Sequence, residues 1–227
     1  NWATVSASNY TFDVYPAGQG AVTVDIAGSV CQDLAGNNNT AATQLSRVYD
    51  TVSPTGSVTT AASDPTSVSP IPVTVTFSEN ALGFTNSDVT LGNGSLSNWV
   101  TVSASNYTFD VYPAGNGLVT VDIGAGACTD AALNTNVALG QLSRTYDGTA
   151  PAPTLASAAP NPTRDSPIPM TVTFSEDVTG FTNTDVTVGN GTLSNWATVS
   201  ASNYTFDVYP AGQGAVTVDI AGSVCQD

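Results

Sequence analysis

Lysine and histidine are absent from this 227-residue chain, and its three arginines face eighteen carboxylates, for a formal net charge of −15. Without either residue, general-base chemistry falls to a carboxylate, and a nucleophilic Ser, Thr or Cys lacks its usual partner, so the sequence reads as non-enzymatic. Paired carboxylates in a cleft serve glycoside hydrolysis, but the acidic residues here recur from repeat to repeat instead of marking one cleft. The absence of lysine also excludes Lys–Asn crosslinks. The negative charge repels nucleic acid and anionic membrane alike and leaves cations as the expected small partners. No apolar run approaches the roughly eighteen residues that a membrane helix needs. There is no charged-then-apolar leader; the sequence opens inside a domain, and any signal or anchor is expected elsewhere. Charged residues are only 9% of the chain, so Ser, Thr, Asn and Gly supply the polar surface, while 41% hydrophobic content is that of a folded protein.

What is present is repetition. Residues 1–33 recur letter for letter at 195–227, and a diverged copy fills 98–130; the spacing is 98 − 1 = 97 and again 195 − 98 = 97. Because alternate copies match and adjacent ones differ, the pattern predicts a pair of repeats, 194 residues long, within a longer array. A repeat near one hundred residues is large enough for its own core. Each carries one cysteine, at Cys31, Cys128 and Cys225. No disulfide forms within a repeat, and equivalent atoms of adjacent repeats lie tens of Å apart against a Cα limit of about 7 Å. Two fates stay open: a buried thiol, or a bond between laterally associated chains.

Residues 51–147 read as short strands separated by Gly, Pro, Asn and Asp, with no helical period. In PIPVTVTFSE, Val73, Val75 and Phe77 alternate with Thr74 and Thr76; in NYTFDVYP, Tyr107, Phe109 and Val111 share a face; in LVTVDI, Val119, Val121 and Ile123 point inward. Asn93-Gly94 marks a turn, since both residues tolerate positive φ. Seven or so strands with half-buried alternation predict an all-β fold: immunoglobulin-like β-sandwiches in tandem, head to tail. The division expected is 1–50, the C-terminal part of one repeat; 51–147, a complete repeat; and 148–227, a repeat without its last strand. The ends then belong either to a window on a continuous fibre or to sheets completed by a strand from a neighbouring molecule.

The phrases PIPVTVTFSE, GFTNSDVT, YTFDVYPAG, GLVTVDI and QLSRTYD, in that order, resemble the bacterial Ig-like repeats of large surface adhesins and extracellular fibre proteins. The resemblance implies tandem sandwiches outside the cell, and linkers stiffened by calcium.

In such a sandwich the chain's entry and the loops after the second and sixth strands gather at one end. Three acidic elements therefore converge at each joint: Asp50, Glu79 and Asp130 at the first, and Asp147, Glu176 with Asp177, and Asp227 at the second. Two carboxylates about 4 Å apart repel by about 4 kcal/mol at an effective dielectric near 20, so a cluster of three draws in a cation. Ca²⁺ takes six to eight oxygens, with Asn80, Asn134 and carbonyls filling the shell. The plain alternative is solvated loop carboxylates and turn formers; Ala131-Ala132-Leu133 departs from Leu34-Ala35-Gly36 ahead of the shared asparagine. Asp88 and Asp185 are read as turn caps, and Asp110 and Asp122 as a solvated, outward strand face. Trp99 is expected in the core, with a sugar-stacking surface as the rival. Tyr112 falls on the outward register and is a candidate exposed contact, as are the three cysteines between chains. Arg47 and Arg144 are expected to snorkel toward a carboxylate. The function expected is a structural repeat of an extracellular fibre or adhesin stalk, its partners being further copies of itself; the alternatives are a module binding surface glycans and an accessory region of a secreted hydrolase.

Overall fold

Strict Val/Thr alternation over Ile71–Phe77 puts every second side chain on one face, and burial follows that period residue by residue: Ile71, Val73, Val75 and Phe77 are buried while Pro72 and Thr76 are exposed. The computed structural model describes residues 1–227, which form two compact units, Asn1–Gly148 and Thr149–Asp227.

In unit 1 the first fifty residues form two antiparallel pairs, β1 (Trp2–Ser6) with β2 (Asn9–Phe12) and β3 (Gly20–Val24) with β4 (Leu45–Tyr49). Seven strands follow: β5 (Gly56–Thr59), β6 (Ile71–Phe77), β7 (Val89–Gly92), β8 (Gly94–Ser103), β9 (Asn106–Pro113), β10 (Gly117–Ile123) and β11 (Leu142–Tyr146). One sheet runs β5-β6-β9-β8 and the other β11-β10-β7, all neighbours antiparallel. The register Val73↔Phe109 and Val75↔Tyr107 sets the inward faces of β6 and β9 side by side, and Val119, Val121 and Ile123 of β10 join the same core. This is the all-β sandwich that the alternation predicts.

Two asparagines shape its edge. Asn98, at φ +51°, sits in a bulge of β8 between Ser97 and Val100 and donates its Nδ2 to Asp110 at 2.7 Å. The extra residue brings Trp99 back over the core, stacked on Phe109 at 5.7 Å between ring centres and tilted on Tyr107. Trp99 is thus partly buried against the core, as expected. Asn93, at φ +54°, makes the β7–β8 turn. Gly94 contributes closeness instead of positive φ: a Cβ there would stand 2.8 Å from Val111 Cγ1.

Unit 2 repeats the plan with β12 (Pro153–Ala156), β13 (Ile168–Phe174), β14 (Val186–Gly189), β15 (Gly191–Ser200), β16 (Asn203–Pro210) and β17 (Thr217–Ile220). The sheets are β12-β13-β16-β15 and β14-β17. Val172, Phe174, Tyr204, Phe206 and Val208 form its core. No helix in either unit is long and apolar enough to cross a membrane.

Candidate metal centre

Asp50, Glu79 and Asp130 are far apart in sequence and meet because three loops are stitched together. Leu82, beyond the end of β6, exchanges main-chain hydrogen bonds with Thr129, beyond the end of β10 (2.7 and 3.0 Å), so the loops carrying Glu79 and Asp130 run side by side. Asn134 Nδ2 donates to the carbonyl of Asp50 at 3.2 Å, tying the chain's entry to the same loop. Carboxylate oxygens of the three residues then lie within 4.8 Å of one another. The three residues offer an all-oxygen donor set that could hold a hard cation.

Asp130 is only 1% exposed and is held by a ring of donors. Its Oδ1 accepts the N–H groups of Ala132 (2.8 Å) and Asn134 (2.9 Å), and its Oδ2 accepts Asn134 Nδ2 (2.7 Å). The Asn134 side chain above all, against some desolvation, holds this carboxyl below the usual carboxylate range. Glu79 moves the other way: partial burial first, then the charges of Asp130 and Asp50, push it up. Asn134, expected as a ligand, instead turns its amide nitrogen toward Asp130 and Asp50 and acts as the brace.

The loop after Asp33 has the same geometry, with Ala35 N–H and Asn37 N–H on Asp33 Oδ1 and Asn37 Nδ2 on Oδ2. Ala131-Ala132-Leu133 therefore leaves the hold on the aspartate intact, but at a cost: Leu133 takes φ +70° where its counterpart Gly36 sits at +86°. A left-handed leucine costs about 1–2 kcal/mol, partly offset in a glycine variant by the freer unfolded chain. Leu133→Gly is expected to stabilise the protein by roughly 0.5–1 kcal/mol, read from urea denaturation.

Asp147 closes unit 1, its carboxylate accepting Asn116 Nδ2. In unit 2 a carboxylate oxygen of Glu176 lies within 4.8 Å of one of Asp227, and Asp177 is exposed. Asp88 and Asp185 are turn caps, each accepting the N–H and hydroxyl of a threonine three residues earlier, Thr85 and Thr182. Cys128 is 3% exposed and burial pushes its thiol up; Cys225 is half-buried and Cys31 exposed. Tyr112 is 44% exposed. Arg144 corrects an expectation: its guanidinium donates to the main-chain carbonyls of Ala62 (2.9 Å) and Ser143 (2.7 Å) instead of to a carboxylate. Arg47 likewise donates to Ser46 O.

Sequence reasoning passed over Asn136. It is 2% exposed, its Oδ1 accepting Cys128 N–H at 2.9 Å and its Nδ2 donating to the carbonyls of Gly124 (2.9 Å) and Val137 (2.7 Å). Asn39 makes the matching bonds to Cys31 N–H and the carbonyls of Ala27 and Thr40. The recurrence of Asn six residues after the loop aspartate, at 33/39 and 130/136, was the available signal.

Comparison with known proteins fits this architecture. No curated protein matches the chain. Among solved structures it is similar to invasin, a bacterial integrin-binding protein, at 13% identity and TM-score 0.46 over 92% of this chain and 51% of that one. It is also similar to InvD of Yersinia pseudotuberculosis, at 17% identity and TM-score 0.31 over 78% of this chain and 57% of that one. The chain thus spans about half the length of those structures. A family model described as a bacterial Ig-like domain matches residues 50–146 and again 147–227. With seven strands in two sheets, a 97-residue period and that match over most of its length, the chain belongs to the bacterial Ig-like domain family.

Proposed function

We propose that this chain is a stretch of an extracellular stalk or fibre on a bacterial surface, in which sandwiches in series span distance and calcium stiffens the places where one repeat passes into the next. On this reading residues 1–50 close one repeat, 51–147 are a whole one, and 148–227 open another. The observation that carries it is the meeting of Asp50, Glu79 and Asp130 where the chain enters the sandwich of residues 51–147. Asp147, Glu176 and Asp227, 97 residues further on, are the same residue types and carry the same proposal. A cation there joins the entering segment to two loops of the sandwich and offsets both the burial and the neighbouring charges that raise Glu79.

Calorimetry of the chain in 1 mM Ca²⁺ against chelator tests this. With a dissociation constant of about 10⁻⁴ M, calcium adds about 1.4 kcal/mol and raises Tm by several degrees. Glu79→Gln inverts sign between the two conditions: it abolishes the calcium increment of the sandwich of residues 51–147, yet in chelator it raises the Tm of that sandwich, because it removes a partly buried and repelled charge. A carboxylate raised on folding carries no penalty below its unfolded pKa and a full one above its folded pKa. The advantage of Glu79→Gln in chelator therefore shrinks as pH falls through the Glu79 range, while the stability owed to Asp130, whose pKa is lowered, is lost in both proteins only at still lower pH. Identical Tm with and without calcium contradicts the proposal.

A further inference from the structure

The turn between β9 and β10 carries a side chain that holds the segment following β11. Asn116 Oδ1 accepts the N–H of Gly148 at 2.9 Å, and its Nδ2 donates to a carboxylate oxygen of Asp147. Its counterpart 97 residues earlier, Gln19, makes a clasp of the same kind between β2 and β3. Gln19 Oε1 accepts the N–H of Thr51 at 3.1 Å, and its Nε2 donates to Thr51 Oγ1 at 2.6 Å. In both places one amide side chain at a hairpin tip ties down the chain just after the last strand.

The two clasps differ in durability. Asn116 precedes Gly117, and Gln19 precedes Gly20. Before a glycine, with no Cβ in the way, the next main-chain nitrogen can attack the asparagine Cγ. Ammonia leaves, and the five-membered succinimide that forms takes up water and opens to aspartate or isoaspartate. The step needs water alone, with no oxidant and no enzyme. Glutamine would have to close a six-membered ring, which is much slower.

Asn-Gly also occurs at Asn93-Gly94 and Asn190-Gly191, and the structure separates these from Asn116-Gly117. Asn93 and Asn190 sit at φ +54° and +55°. A left-handed residue carries its Cβ nearly opposite the next nitrogen, so the side chain points away from its attacker. Both turns are also crowded: a Cβ on Gly94 would stand 2.8 Å from Val111 Cγ1, and one on Gly191 would stand 2.9 Å from Tyr209 O. Their side chains are held as well, Asn93 Nδ2 on Gly115 O at 2.9 Å and Asn190 Nδ2 on the carbonyls of Gly212 and Ala215 at 3.2 Å. Asn116 has no positive φ and is exposed; a Cβ on Gly117 would meet nothing nearer than 3.8 Å, and Gly115 has open space around it.

We propose that Asn116 is a site of spontaneous deamidation, whose conversion opens the clasp on residues 147–148 while the Gln19–Thr51 clasp persists. The new carboxylate meets the carboxylate of Asp147 where an amide N–H had been, and two such groups with neither proton nor cation between them move apart. The inference needs no metal ion and does not rest on the calcium reading. Ageing the full chain in chelator at mildly alkaline pH, where the attacking nitrogen loses its proton more readily, tests it. Tandem mass spectrometry is expected to show residue 116 converting at least about tenfold faster than residues 93 and 190, since reach and alignment set the rate. In the converted chain the Gly148 N–H exchanges with solvent about tenfold faster. Asn116→Asp shows that fast exchange from the start, whereas Asn116→Gln, which copies Gln19, keeps slow exchange throughout ageing. Equal conversion at the three sites, an Asn116 that keeps its amide, or Gly148 exchange unchanged by conversion would overturn the proposal.

Discussion

Phe109→Ala is expected to remove about 3–5 kcal/mol from the stability of the sandwich formed by residues 51–147, the range for emptying a packed aromatic site. Phe109 is 2% exposed, faces Val73 across the β6–β9 ladder and carries Trp99 stacked on it. A domain of this size has about 5–15 kcal/mol in total, so the loss takes a large share of it. In urea, with a slope of about 1 kcal/mol per molar, its midpoint falls by roughly 3 M or more. A loss within about 0.5 kcal/mol, the range of ordinary surface changes, would contradict the packing described.

Asn136→Ala is expected to cost about 3 kcal/mol, again read from the urea midpoint. The side chain fills the bend between Gly124 and Val137, and its loss strands Cys128 N–H and the carbonyls of Gly124 and Val137 around a buried position, at about 1–3 kcal/mol for each group left unsatisfied. Asn136→Asp keeps the size and the acceptor but loses the donor to both carbonyls and places a negative charge beside them, so it is expected to be no better than alanine. A variant within about 0.5 kcal/mol of the parent, the range of ordinary surface changes, would show that the bend holds itself without this residue.

These two sites also show what could be read from the letters alone. Period-two alternation at Val73, Val75 and Phe77 declared both the strand and its buried face, because burial on one side of a sheet leaves no freedom in register. The joint carboxylates were legible because a sandwich brings its entry and two loops to one end. Other features depend on partners that no local pattern names. Asp110 and Asp122, read as a free outward face, accept from Asn98 and, through both carboxylate oxygens, from Gln141. Gly94 is required by Val111, seventeen positions away in sequence, and not by its own φ.

The claim underneath the stalk reading is that added sequence becomes added length. On that reading the longest strands, ten residues at about 3.4 Å per residue, span about 34 Å, and with the loops at its two ends each repeat adds roughly 35–45 Å. Small-angle scattering in calcium, on this chain and on one lengthened by a further 194-residue pair, measures that directly. The predicted result is a maximum dimension greater by roughly 70–90 Å in the longer protein. An increase below about half of that, as sandwiches folded back on one another would give, contradicts the account.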